Sequence, residues 1–323
     1  MERRSFLAAT ATLAGAPFVL RGADPAPSGR ITLLHTNDTH SRIEPFGPGM
    51  GSLTGRGGIA RRATLVRQLR KDLGPVMLLD AGDVFQGTPY YNLYKGRLDY
   101  KLMSLAGYDA GTLGNHDFDS GVEALLAALE EAKFPMLNCN FDCKGAPALG
   151  KRLRPWLVRE FPGIRVGLTG VGVDFRNLVS PRNHAGVTWK DPYESLKPVV
   201  RHLREKEKVD LVVVLSHLGH DSKGERHDDL KMPAAVPGID AIIGGHSHTF
   251  LEEPVRVPTP AGNTLIFQVG FGGVNLGRLD FTLVKGAVKG ASGAALGVDR
   301  GWDCRCGGKG CPVCAQLPAP ALG

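Results

Sequence analysis

Five short apolar runs, each followed directly by a cluster of histidine, aspartate or asparagine, constrain this 323-residue chain more than any other feature. The runs and their clusters occupy residues 31–40, 77–83, 110–119, 211–217 and 241–248. A few β-prone apolar residues before a Gly-rich polar turn are typical of a buried strand that delivers side chains to the carboxyl edge of a sheet. Open α/β sheets bind ligands at that edge. The sequence therefore predicts an α/β fold with a shared polar site.

The polar clusters contain the groups that bind divalent metal ions. Carboxylate, imidazole and amide without thiolate suit Zn, Mn, Fe or Co, and argue against a closed structural zinc site. Two ions about 3.5–4 Å apart need a bridging carboxylate, and Asp83 is the natural bridge because it stands alone at its strand end. The remaining groups divide into Asp38, His40 and His248 for one ion, and Asn115, His217 and His246 for the other. We expect the two-residue spacings to follow an extended exit from a strand, so that the side chains converge.

These motifs resemble those of a known family. They read LHTNDTH at 34–40, GDVFQGT at 82–88, GNHDFD at 114–119, SHLGH at 216–220 and GGHSH at 244–248. Their order and spacing are similar to those of the calcineurin-like metallophosphoesterases, and over residues 30–285 to the catalytic domain of the secreted 5'-nucleotidases and 2',3'-cyclic phosphodiesterases. The resemblance implies a four-layer αββα sandwich and an enzyme that hydrolyses small phosphate esters, foremost nucleoside monophosphates or 2',3'-cyclic nucleotides.

The resemblance also assigns His116 and Asp119 as a catalytic pair. Ester hydrolysis needs cations to neutralise the phosphate oxygens and a hydroxide near neutral pH, and a dimetal site supplies both. His116 follows Asn115 directly, so it can stabilise developing charge or protonate the leaving oxygen beside the metals. Asp119 can orient the imidazole and keep it cationic. Ser120 and Glu123 form a predicted capping box, so the next helix does not need Asp119 as its cap.

Larger members of the family that this chain resembles typically continue into a second domain that grips the nucleoside, and we expect no such domain in the residues that follow the predicted linker. We predict a Gly/Ala linker and Cys-rich tail over 286–323, which leaves loops such as 174–187, or nothing, to hold a base.

Two alternatives to a phosphoesterase stay open. One is a thiosulfohydrolase of sulfur oxidation on the same fold, and the other is a metal-binding scaffold or sensor without turnover. The pair His116 and Asp119 favours an enzyme, because a binder needs no acid for a leaving group.

The amino terminus resembles a twin-arginine export signal. Arg3 and Arg4 precede an alanine-rich apolar stretch over 8–20, so residues 1–29 are expected to be signal and linker and the enzyme periplasmic or secreted. We expect no membrane span in the mature chain. The net charge is +7, but positive and negative residues are interspersed and no aromatic residues alternate with the basic ones, which argues against a nucleic-acid polymer as partner. A generally positive surface would still attract phosphorylated substrates.

Six cysteines leave several interpretations open. The tail cysteines, Cys304, Cys306, Cys311 and Cys314, could bind one structural zinc, form disulfides after export or contact a partner protein from an unstructured tail. Cys139 and Cys143 could pair with each other or remain buried thiols.

Patterning predicts helices near 57–73, 97–106, 120–132 and 191–206, and strands over 157–160, 164–169, 264–269 and 277–284. Pro198 is expected to end or kink the first turns of its helix. Among the other histidines, His35 is expected in the core or behind the metal ligands, His220 near the cleft, and His184, His202 and His227 on the surface.

Overall fold

The computed structural model describes residues 29–224, 226–303 and 311–317, and strands alternate with helices through most of that part. The strands are β1 (Gly29–Thr36), β2 (Val76–Asp80), β3 (Ala110–Gly111), β4 (Met136–Leu137), β5 (Phe141–Asp142), β6 (Leu153–Arg154), β7 (Trp156–Phe161), β8 (Ile164–Gly172), β9 (Thr188–Trp189), β10 (Leu211–His217), β11 (Ala241–Gly244), β12 (Val255–Thr259), β13 (Gly262–Phe267), β14 (Asn275–Val284) and β15 (Ala287–Gly297). The helices are α1 (Ile59–Asp72), α2 (Pro89–Tyr94), α3 (Arg97–Ala106), α4 (Gly121–Leu129), α5 (Pro147–Gly150), α6 (Pro192–Glu205) and α7 (Met232–Ala235).

Two mixed sheets form the centre of the fold. The first has the order β15-β14-β1-β2-β3-β4-β6 and the second β12-β13-β11-β10-β8-β7, while β5 and β9 pair separately. Residues of both sheets, among them Leu33, Leu79, Val213 and Phe267, pack into one buried cluster. The two sheets therefore face each other across a shared apolar core.

Helices cover the outer face of each sheet. Val66 of α1, Leu102 of α3 and Leu129 of α4 are buried in a cluster with residues of the first sheet. On the other side, Leu196 and Val200 of α6 pack against the second sheet. The layers are thus helix, sheet, sheet, helix, which confirms the predicted αββα sandwich.

The carboxyl ends of the motif-bearing strands meet at one edge. In the first sheet β1 runs parallel to β2, with Thr36 opposite Asp80. In the second sheet β10 runs parallel to β11, with Ser216 opposite Gly244. Because parallel strands end on the same side, all five polar clusters follow their strands onto this edge.

The predicted linker after Val284 is wrong. Ala287–Gly297 forms β15, an edge strand that pairs antiparallel with β14 along its length. The small side chains of this segment suggested flexibility, but backbone hydrogen bonds to an existing strand do not require large side chains. The catalytic fold therefore extends beyond residue 285. Cys311 and Val313 are also buried against the first helical layer.

The predicted capping box fails, and the helix does not end at Pro198, so that only a kink there stays a prediction. Ser120 precedes α4 but makes no side-chain capping bond, and its Oγ lies 2.7 Å from the Tyr91 hydroxyl instead. Tyr91 competes for this hydroxyl through a tertiary contact that local sequence does not reveal. Pro198 does not end its helix, since α6 continues to Glu205 with Val200 and Leu203 buried beyond the proline.

Candidate metal centre and catalytic pair

Five of the seven predicted metal ligands lie in a left-handed backbone conformation. These are Asp38, His40, Asp83, His246 and His248, with φ angles of 49°, 49°, 52°, 75° and 52°. The expected extended exits are therefore wrong for both pairs of closely spaced ligands. The side chains converge because the chain turns sharply after each strand. Such conformations cost about 1–3 kcal/mol each for non-glycine residues and cluster at functional sites.

Asp38, His40 and His248 bring three ligand atoms within 4.8 Å of one another. His40 Nδ1 donates to the Phe85 carbonyl oxygen over 2.9 Å, so its Nε2 keeps a lone pair. That Nε2 lies 2.9 Å from His248 Nε2, which in turn lies 3.4 Å from Asp38 Oδ1. Two imidazole nitrogens and a carboxylate oxygen aimed at one small volume are the donor set that a divalent cation prefers.

Asp83, His217 and His246 form a second such cluster. His217 Nδ1 donates to the Ala81 carbonyl oxygen over 2.7 Å, and its Nε2 lies 3.1 Å from Asp83 Oδ2. Burial disfavours the imidazolium, but the adjacent Asp83 carboxylate outweighs burial and raises the pKa of His217 to about 10. The site thus attracts positive charge, which a bound divalent ion would supply in place of the proton.

Asn115 and the protonation of two cluster histidines also fit a metal pair at this site. Asn115 Oδ1 is buried and has no hydrogen-bond partner among the described residues, as expected of an oxygen that binds a cation. Burial lowers the pKa of His40, and lowers that of His246 to about 4, so both rings are neutral near pH 7 as metal ligation requires. The chemistry of the donors therefore matches the predicted dimetal site.

Asp83 belongs to the second cluster and interacts electrostatically with His40 of the first. Its Oδ1 accepts from the His116 backbone nitrogen over 2.8 Å, while Oδ2 faces His217. Although burial opposes ionisation of Asp83, His217 outweighs it and holds the pKa of the carboxyl well below its usual range. His40 and His116 add to this effect. An ionised carboxylate flanked by groups of both clusters is compatible with the predicted bridge.

His116 and Asp119, the predicted catalytic pair, are hydrogen-bonded to each other. His116 Nδ1 lies 2.8 Å from Asp119 Oδ2, and this hydrogen bond raises the pKa of His116. The His116 side chain is 34% exposed, and its ring lies 5.4 Å from that of His40, centroid to centroid. The imidazole is therefore beside the first cluster and accessible from solvent.

Two residues that support the site were not predicted from the sequence. Asp117 is buried and accepts backbone hydrogen bonds from Asp83, Val84 and Gly114, so it holds the second and third motifs together. Its position inside the third motif, between His116 and Asp119, could have indicated this role. Asn37 Nδ2 donates to Asp38 Oδ2 over 2.6 Å, and only the partners of this side chain in the fold reveal its role.

The remaining cysteine and terminal predictions have different outcomes. Cys139 and Cys143 are thiols and not a disulfide. Cys311 Sγ accepts from Arg67 Nη1 over 3.4 Å, whereas Cys304 and Cys306 lie outside the described residues, so the tail zinc stays a prediction. The export signal also lies outside them. Within the described ranges, every helix is too short or too polar to cross a membrane.

Comparison with known proteins places this geometry in a family. A 5'-nucleotidase of Vibrio cholerae is 37% identical over 243 residues, which cover 72% of this chain and 42% of that protein. The crystal structure of a 5'-nucleotidase precursor from Thermus thermophilus superposes with a TM-score of 0.76 at 36% identity, over 85% of this chain and 55% of the other. Sulfate thiohydrolase SoxB from Thermus thermophilus superposes with a TM-score of 0.69 at 20% identity, over 85% and 58%, which is a likeness of fold alone.

The chain spans about two fifths of the length of the curated relatives it matches, 42% and 40% for the first two. The family model for the calcineurin-like phosphoesterases matches residues 31–250, a range that includes all five motifs and both clusters. The chain therefore belongs to the calcineurin-like phosphoesterase family.

Proposed function

We propose that the protein is a dimetal-dependent hydrolase of small phosphate esters, of the 5'-nucleotidase type, with nucleoside monophosphates or 2',3'-cyclic nucleotides as substrates. The observation that carries the proposal is the meeting of two metal-type clusters, where His217 Nε2 of one lies 4.0 Å from Asp38 Oδ1 of the other, beside the hydrogen-bonded pair His116 and Asp119. The 5'-nucleotidase names of the relatives at 36–37% identity support the substrate class.

In this proposal Asp38, His40 and His248 would hold one ion, Asn115, His217 and His246 would hold the other, and Asp83 would serve both. When bound, such ions withdraw charge from the phosphate oxygens and make water available as a nucleophile near neutral pH. Zn, Mn, Fe and Co all accept mixed oxygen and imidazole ligands, so each of them fits this set of donors.

The residues of the chain supply orientation and a proton. His116 keeps its Nε2 directed away from Asp119, so a protonated ring can donate to the leaving oxygen of a substrate in the site. Asp119 fixes the ring through the 2.8 Å bond and favours the protonated form. Asp117 holds the backbone of Asp83 and of Gly114, so the carboxylate and the catalytic pair keep their relative positions.

A thiosulfohydrolase-type activity is the second candidate, supported by the likeness to SoxB in fold. The identity of 20% with SoxB, against 36% for the 5'-nucleotidase precursor, favours phosphate esters. A scaffold without turnover would leave the solvent-accessible His116 and Asp119 pair without a purpose.

Two further elements of the proposal concern the ends of the chain. We propose export to the periplasm or outside the cell through the twin-arginine signal over 1–29, consistent with the secreted snake venom relatives by name. We also propose that Cys304, Cys306, Cys311 and Cys314 bind a structural zinc, or serve as a contact for a partner protein.

The test is a substrate panel on protein reconstituted separately with Mn, Zn, Fe and Co. AMP, 2',3'-cyclic AMP, nitrophenyl phosphate and a thiosulfate ester would be compared with wild type and His116→Asn. The proposal expects metal-dependent hydrolysis that His116→Asn greatly reduces, with phosphate as the product from AMP and nitrophenyl phosphate and a nucleoside monophosphate as the first product from 2',3'-cyclic AMP. Turnover of the thiosulfate ester alone would transfer support to the second candidate, and no turnover of any substrate with any metal would contradict both.

A further inference from the structure

A groove runs from the metal-type clusters across the loop that follows β8. Its inner part is a cleft of about 730 Å³, and its outer part a cleft of about 1030 Å³. The two parts are continuous because they share five lining residues, Asp174, Arg176, Asn177, Leu178 and Trp189. Both volumes lie within or near the range of about 300–1,000 Å³ that is typical of small-molecule sites.

The groove meets the proposed reaction centre at His246, a member of the second metal-type cluster, which lines the inner cleft. The loop after β8 also contacts that centre through Asn183, which lines neither cleft and whose Nδ2 donates to the Asp119 carbonyl oxygen over 2.7 Å. A phosphate held at the clusters therefore has its organic part directed toward this groove or toward open solvent.

The shared wall of the groove offers a fixed aromatic ring. Trp189 Nε1 donates to the Gly172 carbonyl oxygen over 3.0 Å, and its backbone pairs with Phe141 in the short sheet of β5 and β9. The ring is half-buried and lines both clefts. Leu178, which is 42% exposed, lines them too. A held indole and an exposed aliphatic side chain that line the same groove offer a surface on which a planar group can stack.

We infer that this groove binds the planar aromatic part of the substrate, a nucleobase or another aryl group, with Trp189 and Leu178 as its contact surface. The inference rests on the proposed function and names the part of the chain that recognises the leaving group. Every base presents a π-face, so stacking on Trp189 favours aromatic leaving groups over others without choosing among bases. Asn177 and Arg176 on the same wall can interact with polar edges of such a group.

The experiment compares each variant with wild type on three substrates of one reaction centre. AMP and nitrophenyl phosphate carry an aromatic group, whereas ribose 5-phosphate does not. Trp189→Leu removes the ring, Trp189→Phe retains a stacking surface, and Leu178→Ala shortens an exposed contact with little risk to folding. Trp156→Leu is the matched control, because Trp156 packs on the outer face of the second sheet beside His202.

We expect Trp189→Leu to lower kcat/KM about tenfold for AMP and for nitrophenyl phosphate, and to change it less than twofold for ribose 5-phosphate. Trp189→Phe should recover most of the loss, and Leu178→Ala should reproduce part of it. Trp156→Leu should leave the ratios between substrates unchanged. Thermal midpoints and metal content identify any variant that is misfolded. If Trp189→Leu is misfolded, the result for Leu178→Ala tests the inference in its place.

Two results would overturn the inference. One is an equal loss on all three substrates in folded, metal-loaded Trp189→Leu and Leu178→Ala, since the groove would then support the site in general. The other is no loss on any of them. Failure of wild type to release phosphate from all three substrates is a different outcome, because it contradicts the proposed function itself. A loss for AMP that spares nitrophenyl phosphate would restrict the occupant to nucleosides and support the inference in that narrower form.

Discussion

His35 should make the fold less stable in mild acid. It lies on β1 with no exposed surface, and its ring packs edge-to-face on Phe267 at 5.1 Å. Neither ring nitrogen has a hydrogen-bond partner among the described residues. Burial without a partner lowers the pKa of His35 to about 3, so the folded protein holds a neutral imidazole there throughout the physiological range.

The sign and size of the effect follow from proton linkage. In the unfolded chain the pKa of a histidine is about 6.5, so below that pH the unfolded state binds a proton that the folded state excludes. The free energy of unfolding is therefore unaffected by His35 above pH 6.5, and falls as the pH drops from about 6.5 toward about 3. At pH 5 the loss is about 1.5 pH units at 1.36 kcal/mol per unit, or about 2 kcal/mol.

Urea unfolding of wild type and His35→Leu at pH 7.5 and pH 5.0 measures this loss. Between the two pH values wild type should lose about 2 kcal/mol more than His35→Leu, whatever their difference at pH 7.5. Phe267→Leu is the matched control, because it changes packing against the same ring but leaves the titratable group. It should keep the full pH dependence. A His35→Leu protein with the same pH dependence as wild type would refute the argument.

Three further predictions follow from the site and the edge of the sheet. His116→Asn should lower kcat by roughly 10²–10⁴ with metal content unchanged, measured by steady-state kinetics and elemental analysis, and loss of metal would show that His116 is a ligand. The values of kcat/KM for AMP, GMP, CMP and UMP should agree within about tenfold, and a strong preference for one base would contradict recognition by stacking alone. A chain that ends at residue 285 lacks β15, so its melting temperature should be about 2–4 °C or more below that of a chain that ends at residue 303. Equal melting temperatures would mean that this edge strand adds no stability.

The parts of the fold that sequence predicts are those set by local chemistry. Each ligand motif combines an apolar run with a polar turn, so the amino-acid sequence alone places β1, β2, β10 and β11 and the side chains at their ends. Asp38, His40 and His248, which the sequence assigns to one ion, lie in one cluster, and metal binding by this group stays a prediction.

The failures share a different cause. The role of β15 depends on β14, which offers a backbone edge to a segment with little propensity of its own. Ser120 contacts Tyr91, a partner 29 residues away, and therefore does not cap α4. The left-handed conformation of His40 accompanies hydrogen bonds from its backbone nitrogen to the Asp83 carbonyl oxygen and from its ring to the Phe85 carbonyl oxygen, contacts that the local sequence does not reveal. In each case a tertiary contact decides the local structure.

Metal stoichiometry of Asp83→Asn is the most direct measurement of whether one carboxylate joins two ions in this site. Wild type reconstituted with manganese or zinc should contain two ions per chain by elemental analysis, and should release phosphate from nitrophenyl phosphate. Asp83→Asn should contain one ion or none and show no turnover. Asp72→Asn, on the solvent-facing side of α1, should match wild type in both respects. An Asp83→Asn protein that keeps two ions and near-normal activity would contradict the bridged dimetal centre.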